Sequence, residues 1–176
     1  MYIWIGCRLP VDFEAAVRSH CLEINEAIGL STVAFSLPQH VSLKISFQSE
    51  RYHEILDDLT AFLKRQPPFS IQIKQVERSN NVLWLPVEDN LLLQQLHEQL
   101  DTRLEQCFSI PRHKFDKCFR FHSTLFMDAN PDMLSIMHKR LQGFPVAQEL
   151  SVNTFLLGLS ETGKPGQYRV VREIKV

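Results

Sequence analysis

Two tetrapeptides in this chain combine residue types that could do acid/base chemistry. They are His40-Val41-Ser42-Leu43 and His122-Ser123-Thr124-Leu125. Both read histidine, any residue, small hydroxyl, leucine, and the two hydroxyl residues are separated by the same interval as the two histidines. On a strand, residues i and i+2 share a face. Each motif would therefore present an imidazole beside a hydroxyl and turn its leucine inward. Two such strands facing each other would line one cleft with two imidazoles and two hydroxyls. That set suits a phosphodiester. One imidazole can take a proton from an attacking water while the other gives one to the leaving oxygen, because imidazole titrates near neutral pH. The hydroxyls can donate hydrogen bonds to the non-bridging phosphoryl oxygens. A single His-x-Ser/Thr carries little information; its duplication in equivalent places carries the argument.

Other residues are secondary candidates. Lys44 and Arg120 share strand parity with the motifs and could neutralise phosphate charge. Trp84, Phe119 or Phe126 could stack on a base, although core positions are expected for Phe119 and Phe121. Arg112-His113-Lys114, with Lys117, could steer a phosphorylated substrate or simply be a solvated loop. His20, His53, His97 and His138 fall on helical segments and read as surface or boundary residues. No two of them have metal-ligand spacing on one helix, so no metal site is expected.

The elements that must position the motifs can be read from hydrophobic periodicity. Tyr2 to Leu9 reads as a strand ended by Pro10, and Asp12 as the cap of a helix starting near Phe13. His40 to Phe47 alternates with period two. A helix capped at Ser49 and stopped by Pro67-Pro68 follows. Phe69 to Glu77 and Val82 to Val87 read as a hairpin around Asn80-Asn81. Asp89 or Asn90 opens a long helix with Leu93, Leu96, Leu100 and Leu104 on one stripe. Phe108 to Asp116 reads as a loop, Cys118 to Met127 as a strand. Asn130-Pro131 starts a last helix, and two strands close the chain near Leu150 to Leu159 and Gln167 to Ile174. In each half a loop leads to a histidine strand, then a helix, then a hairpin. The expectation is an α+β fold of two pseudo-symmetric lobes, each an antiparallel sheet flanked by helices, with a central cleft between them. Residues 1–176 would form one bilobal domain.

The chain of 176 residues carries a formal net charge of -1. Proteins that hold long duplex nucleic acid through many phosphates carry a basic excess, so a long duplex is not an expected partner. The four cysteines lack C-x-x-C spacing and are expected to be reduced and mostly buried. Met1 to Pro10 lacks the pattern of a secretory signal, and no segment reaches the roughly 18 apolar residues of a membrane helix. A cytoplasmic, monomeric protein without membrane contact is expected.

The sequence resembles the 2H phosphoesterase superfamily, and within it the 2'-5' RNA ligase-like proteins that hydrolyse 2',3'-cyclic phosphates. The resemblance runs over nearly the whole chain and rests on the opening strand and helix, on Gln39-His40-Val41-Ser42-Leu43-Lys44 and on Phe121-His122-Ser123-Thr124-Leu125. It implies two lobes related by a pseudo-two-fold, His40 and His122 as the acid/base pair, and Ser42 and Thr124 as phosphate-binding hydroxyls. Serine stands in the first motif where threonine is commoner, with the hydroxyl kept. No metal or organic cofactor is implied. The implied substrate is a 2',3'-cyclic phosphate on an RNA end or a cyclic nucleotide. Reversible 2'-5' RNA ligation and a non-catalytic nucleotide-binding module are the alternatives, and the motifs alone leave open which histidine is acid and which is base.

Overall fold

The computed structural model describes residues 1–144 and 147–176; of the Lys117 side chain it describes nothing. Strand β1 (Tyr2–Arg8) is almost wholly buried and leads through Pro10 into helix α1 (Val11–Asn25). Pro10 itself stands at the helix N-cap, ahead of the expected Asp12, which lies in the first turn. Gly29 then takes a positive φ of 78°, the left-handed geometry that lets a chain leave a helix without a Cβ clash.

The first motif lies on a short strand, β2 (His40–Ser42), paired antiparallel with β1 through Arg8↔His40 and Gly6↔Ser42. The expected strand from His40 to Phe47 does not continue. The chain bends after Ser42, because Lys44 turns inward to two buried carboxylates, and pairing with β1 resumes only at β3 (Phe47–Gln48). Helix α2 (Tyr52–Leu63) buries Ile55, Leu56, Leu59 and Leu63. It begins three residues after Ser49, whose hydroxyl accepts from the Arg51 amide instead of capping the helix.

The expected hairpin forms with a break in its first arm: Ile73 of β4 (Phe69–Ile73) bridges to Val87 and the Lys74 amide donates to the Pro86 carbonyl at 2.8 Å, before the chain leaves the ladder at residues 74–76. The arm resumes as β5 (Glu77–Ser79) beside β6 (Val82–Pro86), and the other edge of β4 pairs with β8 (Gln148–Val152), far along the chain. Asn80, with φ 49°, makes the turn between β5 and β6; asparagine tolerates this region better than most residues. Helix α3 (Leu91–Phe108) is capped by Asn90, whose side chain accepts from the Leu93 amide at 3.0 Å. The second motif begins β7 (His122–Met127), which is shorter than expected, since Cys118 ends a single 3₁₀ turn; ahead of the strand the Phe121 carbonyl already accepts from the Val87 amide at 3.0 Å. Helix α4 (Pro131–Arg140) follows with Asn130 as its cap, and β9 (Thr154–Ser160) and β10 (Arg169–Lys175) close the chain as a hairpin.

The strands make two antiparallel lobes. One has the order β10-β9-β1-β2, with β3 also on β1; the other joins β5-β6-β7 to the β4-β8 pair through a bridge between Ile73 and Val87. Helix α2 packs near β10 and α4 on β5 and β6. The motif strands are both edge strands, β2 of one lobe and β7 of the other, and they lie against each other. Edge strands offer unpaired groups and open faces, so their meeting leaves a cleft where two sheets end. Below it runs one continuous core that includes Val41, Leu43, Leu125 and Phe126. Among the described residues no helix is long and apolar enough to cross a membrane.

Candidate active site

Both histidines are half-buried, and each is the first residue of its strand. His40 Nδ1 lies 2.7 Å from the Pro38 carbonyl, and His122 Nδ1 lies 2.6 Å from the Arg120 carbonyl. A carbonyl only accepts, so each Nδ1 carries the hydrogen and donates it. The carbonyl is two residues upstream in both cases. This local geometry fixes one tautomer in each ring and leaves both Nε2 atoms for chemistry. Burial pushes the His40 imidazole down to about 4; the Pro38 carbonyl opposes that fall and the neighbouring His122 adds to it. Burial also lowers His122, against the Arg120 carbonyl and with the Arg120 guanidinium. The two rings stand on strands that lie against each other, and His122 is among the causes that lower His40.

Each imidazole rests on a tryptophan. The Trp4 ring meets His40 edge-on at 4.3 Å between centroids, and the Trp84 ring lies tilted at 4.2 Å from His122. Trp84 faces Thr124 directly across the β6–β7 ladder. Trp4 Nε1 donates to Ser42 Oγ at 3.0 Å. With that acceptor position filled, the Ser42 O–H is turned to donate elsewhere. The Trp4 ring lies across the sheet over Gly6 and Gly158, where a Cβ would come within 2.6 and 2.7 Å of it. Trp4 escaped the reading of motifs; a glycine inside each of two core strands was its signal, since such a residue marks close approach.

A buried bond spans the lobes beneath the cleft. Ser123 Oγ donates to Gln39 Oε1 at 2.8 Å, and both residues are buried.

Arg120 is exposed, lies beside His122, and makes no ion pair among the described residues. Lys44 differs from expectation. Its side chain is buried, bonded by Nζ to Asp101 and, at 3.0 Å, to Asp116. Two carboxylates more than offset its charge, so it is a structural cation rather than a free partner for phosphate. His97 is likewise no surface residue. It is 4% exposed, donates Nδ1–H to the Leu43 carbonyl at 2.7 Å, and stacks on Phe119. His97, Asp101 and Asp116 bring one donor atom each within 4.8 Å of one another, a grouping that could hold a metal. Lys44 Nζ is bonded to both of those carboxylates, so one ammonium already occupies the space between them and offsets part of their charge.

Of the aromatic candidates, Phe126 is fully buried and cannot reach a ligand, whereas Trp84 and Phe119 are half-buried at the cleft. Arg112 is tied to Glu98 on α3 at 2.8 Å. Two of the cysteines, Cys107 and Cys118, are exposed rather than buried. The Cys7 and Cys21 thiols are pushed up by burial, Cys21 to about 12, which leaves them unreactive.

Two cavities flank His122. One of about 690 Å³ includes Ser42, Trp4, Trp84 and Arg120 in its wall; the other, about 180 Å³, shares Trp84, Phe119, Arg120 and His122 with it.

The fold matches solved structures over almost the whole chain. The crystal structure of TT0787 from Thermus thermophilus superposes with a TM-score of 0.68 at 22% identity, covering 99% of this chain and 97% of that one. E. coli LigT complexed with 3'-AMP gives 0.62 at 18%, covering 99% and 96%. Kluyveromyces marxianus Usb1 gives 0.52 at 11%, covering 99% and 98%. At these identities the likeness is one of fold. No curated protein matches the chain by sequence. Residues 30–163, which include both histidine motifs and the cleft between them, match the family described as the 2'-5' RNA ligase superfamily. That match covers well over half of the sequence, and the chain belongs to this superfamily of phosphoesterases.

Proposed function

We propose that the protein hydrolyses a 2',3'-cyclic phosphate, on an RNA end or a nucleotide, by a two-histidine mechanism that needs no metal. The observation that supports this reading is the matched pair of Nδ1–H to carbonyl bonds, which leaves Nε2 of each ring for chemistry, on two strands that lie against each other. His40, held neutral by burial, is the base. Its Nε2 takes a proton from water as the water oxygen bonds to phosphorus. The bond from phosphorus to one ribose oxygen breaks on the opposite side, and that oxygen takes the Nε2 proton of His122. His122 lies at the junction of the two cavities, and a bound phosphate anion favours its protonated form. The hydroxyls of Ser42 and Thr124 donate to the non-bridging oxygens, and Arg120 offsets their charge. E. coli LigT has been crystallised with 3'-AMP, a ligand of the same chemical class as the products.

The test is incubation of the protein with 2',3'-cyclic nucleotides and with a short RNA ending in a cyclic phosphate, in excess chelator, with product analysis. Ring opening to a monoester is expected in chelator as without it. Absence of turnover on both substrates, or turnover abolished by chelator and restored by metal, would contradict the proposal.

A further inference from the structure

His97 interrupts an apolar stripe. Helix α3 buries Leu93, Leu96, Leu100 and Leu104, and His97 and Asp101 are buried among them. Burying polar groups costs free energy unless they are bonded, and a break in the local pattern marks functional or strained places. A leucine at position 97 would suit the stripe. It could not make the contacts that the imidazole makes.

Those contacts reach both histidine motifs. On one side Nδ1 donates to the Leu43 carbonyl at 2.7 Å. Leu43 ends the first motif, and its own amide donates to the Ile5 carbonyl of β1 at 2.9 Å. On the other side the ring stacks on Phe119, with centroids 4.6 Å apart, and meets Phe121 edge-on at 6.0 Å. Nε2 faces the Asp116 carbonyl at 3.3 Å. Phe119 and Phe121 flank Arg120, whose carbonyl accepts from His122 Nδ1 at 2.6 Å. Both neighbours of that carbonyl are thus held against one buried ring. The charged groups around it make the same link. Lys44, next after Leu43, is bonded through Nζ to Asp101, one turn along α3 from His97, and to Asp116, three residues before Phe119. One buried cluster therefore ties the end of the first motif, the middle of α3 and the lead into the second motif, independently of the bond between Ser123 and Gln39.

From this we infer that His97 is a positioning residue for the two-histidine site. From α3 it sets the end of the first motif and the approach to the second, and through Arg120 the carbonyl that fixes the His122 tautomer. His97 lines neither cavity beside His122, so it acts through these contacts and not on substrate. The catalytic part of its effect rests on the phosphodiester reading above. His40 should depend on it less than His122 does. The carbonyl that His40 uses, Pro38, precedes the first motif. The chain there is held to β1 by the Leu9 amide on the Gln39 carbonyl at 2.9 Å and by the pairing of Arg8 with His40.

The test combines kinetics with imidazole nitrogen NMR, which reads ring tautomers and needs no turnover. His97→Leu removes both the donor and the ring. His97→Asn keeps an N–H donor near the Nδ1 position and loses the ring that stacks on Phe119. His97→Leu is expected to lower kcat on a 2',3'-cyclic nucleotide by about 10-fold, with KM within about 2-fold. It should also take the His122 ring out of its single Nδ1–H form and leave the His40 resonances nearly in place. His97→Asn should recover part of the loss in kcat. If His97→Leu does not fold, His97→Asn carries the NMR comparison, with the same direction expected because the stack is gone. Unchanged His122 resonances in a folded variant would overturn the inference, as would equal disturbance of both rings or, in an active enzyme, an unchanged kcat. If wild type opens no cyclic phosphate while the substitution still shifts His122 alone, the proposed reaction fails and the positioning stands. If cyclic phosphates are opened while His97→Leu changes neither kcat nor His122, the positioning alone fails.

Discussion

The buried Ser123 hydroxyl donates to Gln39 Oε1 at 2.8 Å, so the residue before one motif histidine holds the residue after the other. The bond crosses from one lobe to the other directly beneath the cleft. It can therefore set the spacing between the two imidazoles, a distance on which in-line acid/base transfer depends steeply.

Gln39→Ala is expected to lower kcat by about 10-fold with little change in KM, since the groups that bind phosphate stay in place. It also leaves a buried hydroxyl without its acceptor, at a stability cost of about 1–3 kcal/mol. Ser123→Ala should give a similar loss of kcat, and the double variant should be no worse than either single one. Steady-state kinetics and denaturant unfolding of the three variants check this; additive kinetic losses would show that the bond does not act as a unit.

Trp4→Phe keeps a ring beside His40 and removes only the N–H that orients Ser42. A loss of roughly 3- to 10-fold in kcat/KM is expected, the worth of one neutral hydrogen bond. Gly6→Ala should do more, because a Cβ there would meet the Trp4 ring at 2.6 Å and push it off the sheet. Kinetics alongside tryptophan fluorescence would separate the two effects, since the spectrum should move with the ring in Gly6→Ala.

The pH dependence follows from the direction in which each imidazole is shifted. His40 must be neutral to act as base, and its value of about 4 sets the acid limb. His122 must be protonated, and its lowered value sets an alkaline limb below 6.5. The optimum of kcat/KM should therefore fall on the acid side of 6.5. Arg120→Gln removes the cation that lowers His122, so the alkaline limb should move to higher pH while KM rises. Stability carries the same sign. The unfolded chain protonates His40 more readily than the folded one, so stability is full above about pH 6.5 and declines as pH falls toward 4. Across this window wild type should lose stability relative to His40→Gln, which lacks the titrating imidazole, as unfolding curves would show.

Lys44 distinguishes a structural cation from a phosphate ligand. Lys44→Met strands two buried carboxylates and is expected to cost about 3–5 kcal/mol of stability. A Lys44→Met, Asp101→Asn, Asp116→Asn triple variant should recover much of it. Thermal or denaturant unfolding checks this. A stable Lys44→Met protein with a raised KM alone would instead support phosphate binding by Lys44.

Much of this site was legible in the sequence. Period two at residues 40–42 and 122–125 placed an imidazole and a hydroxyl on one face, and the duplication pointed to two lobes. What escaped was set by contacts distant along the chain. Trp4 meets Ser42 across a ladder, and Gln39 meets Ser123 between lobes. Lys44 has the right parity for the cleft, but parity holds only while the strand lasts, and the chain bends at Leu43. His97 reads as a surface histidine on a helix until α3 is seen to turn it onto Phe119 and the Leu43 carbonyl. The hairpin of residues 69–87 was legible, but the second partner of β4, the distant strand β8, was not, because local turn signals report only local neighbours.

The central claim is that His40 and His122 act as one acid/base pair. The measurement that tests it most directly is single-turnover hydrolysis of a 2',3'-cyclic nucleotide by wild type, His40→Ala, His122→Ala and the double variant, with folding verified for each. The account predicts that each single variant loses about 100-fold or more, and that the double variant loses little beyond either one, as for residues acting as a unit. A single variant that keeps near wild-type turnover, or a double variant whose loss is the product of the two single ones, would contradict it.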